Sequence, residues 1–307
     1  MKTRKFYSML LLAAAAMCST TANADPTTYK IWVGETQVTS DNAANIPCKA
    51  GKVSYNAATK TLLLENAQIE NIKDKGKNLN GIFAEEPQLT ISLVGTNTIN
   101  AAHGHGLFCH DIDVTITGAQ GTTLAITSTK ARKCGIYFSQ KYKEYPAKDS
   151  PKQANKLTIK GGCTVTATGD TGTRGVYSNI KIKGTEKYRA ATTILNIENS
   201  TFNTIGAQGS LAGFINLVLT TAHFDKPQNA LYVASKGVCT NADKRTLVTA
   251  QVSIVPGNAT GIQTVETTPG QTVRKGIYTI SGVKLNTPFN NLPAGLYIVD
   301  GKKVIKQ

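Results

Sequence analysis

GLFCHDIDVTITG (residues 106–118) is the stretch on which the reading of this chain turns. It opens with glycine, an aliphatic and an aromatic residue, passes a polar corner, and ends in an alternating run that places Val114 and Ile116 on one face. Alternation with a period of two marks a half-buried strand. The same unit recurs as GIFAEEPQLTISLVG (81–95), as GIYFSQ (135–140) resuming in KLTIKGG (156–162), and as GVYSNIKIKG (175–184). The opening glycines Gly81, Gly106 and Gly135 stand 25 and 29 residues apart; the step of 40 to Gly175 contains the polar insertion QKYKEYPAKDSPKQAN (140–155). Strand residues pair off as Leu89 and Ile91, Val114 and Ile116, Leu157 and Ile159, and Ile180 and Ile182, and no segment after residue 24 has a helical period. Short β-rich units that cannot bury an apolar face alone, stacked at a period in the twenties, predict an all-β chain built as a parallel β-solenoid, continuous from about residue 45 to 255.

Upstream, YKIWVGETQVTS and GKVSYNAATKTLLLENAQI precede these units. Together with the Gly-aliphatic-aromatic repeats and their LTI strands, they resemble bacterial cell-surface parallel β-helix proteins of the carbohydrate-binding-like kind, over about residues 29–255. The resemblance implies the fold and a surface location; the ligand class stays open, since such scaffolds carry both binding proteins and polysaccharide lyases. The module containing Trp32 is expected to cap the solenoid, because an open end would expose strand edges and core.

The ends read differently. Residues 1–24 combine a basic start (Lys2, Arg4, Lys5), an apolar run from Met9 to Met17 and the small-residue site Ala22-Asn23-Ala24. That is a secretory signal peptide, with lipidation at Cys18 the lesser alternative. No later segment is apolar for long enough to cross a bilayer, so the expected product is exported to the cell surface or medium, with the periplasm as the alternative. Residues 256–275 are rich in Thr, Gly and Pro and read as a linker. Residues 276–307 hold GIYTISGVKL and GLYIVDGKKVIKQ, two hairpin-like pairs, the second turning at Asp300-Gly301. This tail, hairpin or sandwich-like, resembles the end of type IX secretion sorting domains, which implies secretion machinery as a partner.

Five cysteines remain beyond the leader, at irregular spacings and without a CxxC pair, and are read as small core residues. His103, His105, Cys109, His110, Asp111 and Asp113 crowd one corner. Aligned on the glycines they match Asn78, Asn80, Ala84, Glu85, Glu86 and Gln88, so they read as solvated corner positions, not a metal site. Neither a cofactor nor a catalytic residue is assigned. Phosphate loops and nucleophile elbows are absent; the pairs Glu85/Glu86 and Asp111/Asp113 have no local feature that would tune them for glycosidase chemistry.

Charge gives the functional lead. Residues 25–129 hold 7 basic and 10 acidic side chains, residues 130–189 hold 14 and 4, and residues 190–307 hold 10 and 5. A net +10 concentrated in sixty residues points to a polyanionic partner, with no specificity for nucleic acid. The aromatic that follows each glycine by two places, namely Phe83, Phe108, Tyr137 and Tyr177, forms a column. An internal stack is the simpler expectation; if the aliphatic neighbours fill the core instead, the column faces out. Facing out, it combines with the basic units. The candidate ligand-binding residues are then Lys133, Tyr137, Lys141, Tyr142, Lys143, Tyr145, Arg174 and Tyr177, with rings packing on sugar and cations bonding carboxylate or sulfate. The expected function is a non-enzymatic binder of an acidic glycan or other polyanion. The alternatives are a polysaccharide lyase, disfavoured because Glu144, Asp149, Asp170 and Glu186 do not cluster, and a purely structural or adhesive solenoid.

Overall fold

The computed structural model describes residues 25–140, 155–181, 188–190, 193–240, 244–257, 276–279, 284–300 and 302–306. The leader, the body of the polar insertion and residues 258–275 of the linker lie outside the described residues. Apart from a single 3-10 turn at Phe289–Asn291, every regular element among the described residues is a β-strand.

Three parallel ladders organise the described residues: each of the first four repeat units adds one strand to each, and the fifth adds one to the first two only. The first ladder runs through Ile82–Ala84, Leu107–His110, Ile136–Gln140, Val176–Lys181 and Leu211–Ala212. The second runs through Gln88–Val94, Asp113–Gly118, Lys156–Lys160, Ile194–Glu198 and Asn216–Thr220, and the third through Thr96–Ala101, Thr123–Ser128, Thr164–Thr168 and Thr201–Ile205. The long strand Thr61–Asn71 pairs with the second ladder through Thr61–Glu65 and with the third through Gln68–Asn71. It thereby joins the two into one 13-stranded sheet, nearly closed like a barrel.

Register follows the glycine alignment. Ile82, Leu107, Ile136, Val176 and Leu211 are consecutive partners, as are Leu89, Val114, Leu157, Leu195 and Leu217. All but Leu217 of these ten are at most 1% exposed. Burying such a side chain stabilises by about 1.5–3 kcal/mol, so these columns are the main apolar term holding unit on unit. The recurrent glycine has a steric reason. A Cβ on Gly81 would lie 2.6 Å from the Gly106 carbonyl oxygen, and one on Gly106 would lie 2.7 Å from that of Gly135. Only hydrogen fits where successive units approach this closely.

Two expectations need correction. Ile180 does not continue the Leu157/Ile159 column, and Ile182 lies outside the described residues. Val176–Lys181 instead turns back in an antiparallel pair with Tyr188–Ala190, and the chain re-enters the second ladder at Ile194–Glu198, where Leu195 and Ile197 pair with Leu157 and Ile159. Parallel pairing also spans less than residues 45–255. Ala50–Asn56 lies antiparallel on Thr61–Asn71, and Val252–Pro256 lies antiparallel on both Thr201–Ile205 and Ala222–Lys226. At the other edge Thr28–Val33, itself in a hairpin with Thr36–Thr39, pairs antiparallel with Ile82–Ala84, setting Trp32 beside Phe83. The tail forms a separate four-stranded antiparallel sheet, whose hairpin Gly295–Val299/Lys302–Lys306 has Asp300 in its turn at φ +48°. No helix among the described residues is long and apolar enough to cross a membrane.

Candidate functional site

The aliphatic column of the first ladder decides which way its aromatics point. Ile82, Leu107, Ile136 and Val176 are each 0% exposed, so the alternate residues Phe83, Phe108, Tyr137 and Tyr177 project from the opposite face, where they are half-buried. The internal stack expected from sequence is therefore replaced by an external one. Phe138, one residue along, is the aromatic that enters the core.

The rings form a continuous strip. Centroid separations are 5.5 Å from Trp32 to Phe83, 5.2 Å from Phe83 to Phe108, 5.2 Å from Phe108 to Tyr137 and 6.2 Å from Tyr137 to Tyr177. His105 stacks on Tyr137 at 4.3 Å with an interplanar angle of 12°, and the Arg174 guanidinium carbon sits 4.1 Å over the Tyr177 ring. The two tyrosines thus spend ring surface on protein partners, which runs against the expectation that their faces lie open for sugar. Tyr177 supports a cation, since a guanidinium over a ring gains roughly 0.5–2 kcal/mol, whereas Tyr137 supports the His105 ring. The Tyr137 hydroxyl is itself fixed, donating to Asn179 Oδ1 at 2.6 Å. The Nε of Arg174 is covered and makes no hydrogen bond to the described residues.

His105 is no solvated corner residue. It is 7% exposed; its backbone N–H donates to Asn80 Oδ1 at 2.9 Å, and its Nδ1 accepts the Cys134 N–H at 2.9 Å. That bond assigns the ring proton to Nε2. Burial first, then the positive charge of Lys133, depresses its pKa to about 3, so the ring is neutral across the physiological range. His103 is half-buried, and His110 ends its strand. No group of three or more His, Cys, Asp or Glu side chains among the described residues is arranged to hold a metal ion. Cys109, Cys134, Cys163 and Cys239 are buried and Cys48 is half-buried; burial raises the pKa of Cys109.

Beside the strip lies a cleft of about 830 Å³. Its floor includes Phe108, Tyr137, Tyr177 and Asn179, and its wall is made by the corners that lead into five successive strands of the first ladder. Among the described residues four cations line it, Lys77, Arg132, Lys133 and Arg174, and no acidic side chain does. Of the sequence-derived candidates, Lys133, Tyr137, Arg174 and Tyr177 come together here, while Lys141, Tyr142, Lys143 and Tyr145 lie outside the described residues. Sequence reasoning did not assign Lys77, Arg132, His105 and Asn179 to the site. Arg132 carried a usable signal, standing next to Lys133 just before the unit's glycine. Lys77 lies in the acidic part of the chain and reaches the cleft only because units stack. No family model, no curated protein and no solved structure matches the chain.

Proposed function

We propose that the protein is an exported, non-enzymatic β-solenoid that binds an acidic polysaccharide or other polyanion in this cleft. On this reading the three ladders are the faces of the solenoid, and the antiparallel modules at its ends are caps. One observation carries the proposal above the others: a cleft whose described lining holds four cations and no carboxylate, with the Arg174 guanidinium seated over the Tyr177 ring. Clustering like charges on a folded surface costs self-repulsion that an anionic ligand relieves. The leader and the sorting-like tail support export, with secretion machinery as the partner of the tail.

The test is retention on acidic and neutral polymers across a salt series. Exposed charge contacts are screened over about 8 Å at physiological ionic strength, so binding to the acidic polymer should fall steeply as salt rises, and Arg174→Ala should weaken it. Equal retention on neutral polymer, or retention indifferent to salt, would reject the proposal. Ultraviolet-absorbing unsaturated uronate products would make the protein a lyase instead.

A further inference from the structure

The cleft has a direction. Its wall is assembled from the corners preceding Ile82–Ala84, Leu107–His110, Ile136–Gln140, Val176–Lys181 and Leu211–Ala212, represented by Lys77, His103, Lys133, Arg174 and Gln208. These corners stack directly on one another: Gly81 N–H donates to His105 O at 3.0 Å, Gly106 N–H to Cys134 O at 3.1 Å, and Gln208 N–H to Thr173 O at 2.8 Å. Successive units in a parallel ladder are about 4.8 Å apart, so the five corners span roughly 19 Å perpendicular to the strands. The cations are not evenly placed along that line. Lys77 stands on the first unit, Arg132 and Lys133 on the third and Arg174 on the fourth, with His103 in the gap. The distance from the first to the fourth unit is three steps, roughly 14 Å.

We infer that the ligand is a linear acidic polysaccharide lying along the ladder axis, with one sugar residue per unit and about four residues engaged between Lys77 and Arg174. This rests on the polyanion reading of the cleft and adds to it orientation, register and minimum length. Two features favour an extended chain over a single anionic group. The cations occupy different units of the stack, with Lys77 and Arg174 roughly 14 Å apart along the axis, so an extended chain meets both with less side-chain excursion than one carboxylate or sulfate requires. The rise per unit is also close to the length of one sugar in an extended polysaccharide, so each residue of a polyuronate meets an equivalent corner. The acidic residues Glu85, Glu86 and Asp111 lie at the far end of the first-ladder strands on the first two units, which leaves the corner side as the track for the chain.

The experiment is calorimetric titration of the mature chain with oligogalacturonates of one to six residues at low salt. Affinity should climb with each added residue up to about four and then level off. Lys77→Ala should lower the affinity of the tetramer by about two- to fivefold, as one exposed ion pair does, and leave the dimer unchanged; Arg174→Ala should weaken both. An affinity that does not change from the dimer upward, still lost in Arg174→Ala, would overturn the axial register while leaving a single-anion site. Failure of every acidic oligomer to bind would sink the polyanion reading itself. Equal binding of a single-stranded oligothymidylate of matching length would overturn the assignment to a saccharide.

Discussion

Acidification should destabilise this fold through one residue. His105 is 7% exposed, and its pKa is depressed to about 3, whereas in the unfolded chain an imidazole titrates near 6.5. Between those values the unfolded state binds a proton that the native state refuses, so stability falls as pH drops below about 6.5 and continues to fall until pH reaches about 3. The slope is about 1.4 kcal/mol per pH unit, so between pH 7 and pH 5 this residue alone should remove about 2 kcal/mol. The control is His105→Asn, because Asn80 occupies the equivalent corner of the preceding unit and shows that asparagine fits there. Urea unfolding can be followed through Trp32, the chain's single tryptophan, whose ring meets Phe83 at 5.5 Å. Stopping at pH 5 keeps most carboxylates ionised, and the other three histidines are common to both proteins, so the difference between the two pH profiles isolates His105. Parallel profiles would refute the reasoning, since they would mean that the ring accepts a proton inside the folded protein.

Two further substitutions test the packing. Gly106→Ala should cost about 1–3 kcal/mol in urea unfolding, because its Cβ would lie 2.4 Å from Ile126 Cγ2 and 2.7 Å from the Gly135 carbonyl oxygen; an unchanged midpoint would mean that the units stand further apart. Phe138→Ala should cost about 3–5 kcal/mol and clearly more than Phe108→Ala, since Phe138 is 0% exposed and Phe108 is half-exposed; the reverse order would place the aromatic strip inside.

The first four strands of the first ladder were legible in the sequence down to their register, while the fifth, Leu211–Ala212, was not. Aligning glycines pairs Phe83 with Phe108 and Ala84 with Cys109, as observed, because close approach of the units leaves no alternative residue at those positions. The third ladder escaped notice. Its inward positions include Asn97, Ala101, Ala167 and Thr204, and its outward ones are mostly threonine, so the contrast between faces is too low to show as alternation. The misplaced strand of the fourth unit has a different cause. IKIK alternates as well as ILNIE does, and only the hairpin of Val176–Lys181 with Tyr188–Ala190 decides between them. At the site, Lys133, Tyr137, Arg174 and Tyr177 were readable because charge and aromatic share the same units. The enclosure of His105 was not, because the ring that covers it, Tyr137, belongs to the next unit along the chain.

The lengths of the units bear on how such a chain can be lengthened. From Ile82 to Leu107, Ile136, Val176 and Leu211 the steps are 25, 29, 40 and 35 residues, yet these five remain consecutive partners in one ladder. All the variation is absorbed between strands. Duplicating one segment from glycine to glycine therefore inserts a module without disturbing the spacing of its neighbours, and each copy extends the first ladder and its flanking cleft by about 4.8 Å. Gene duplication can tune the reach of this surface in fixed increments, leaving the corner residues free to set its charge.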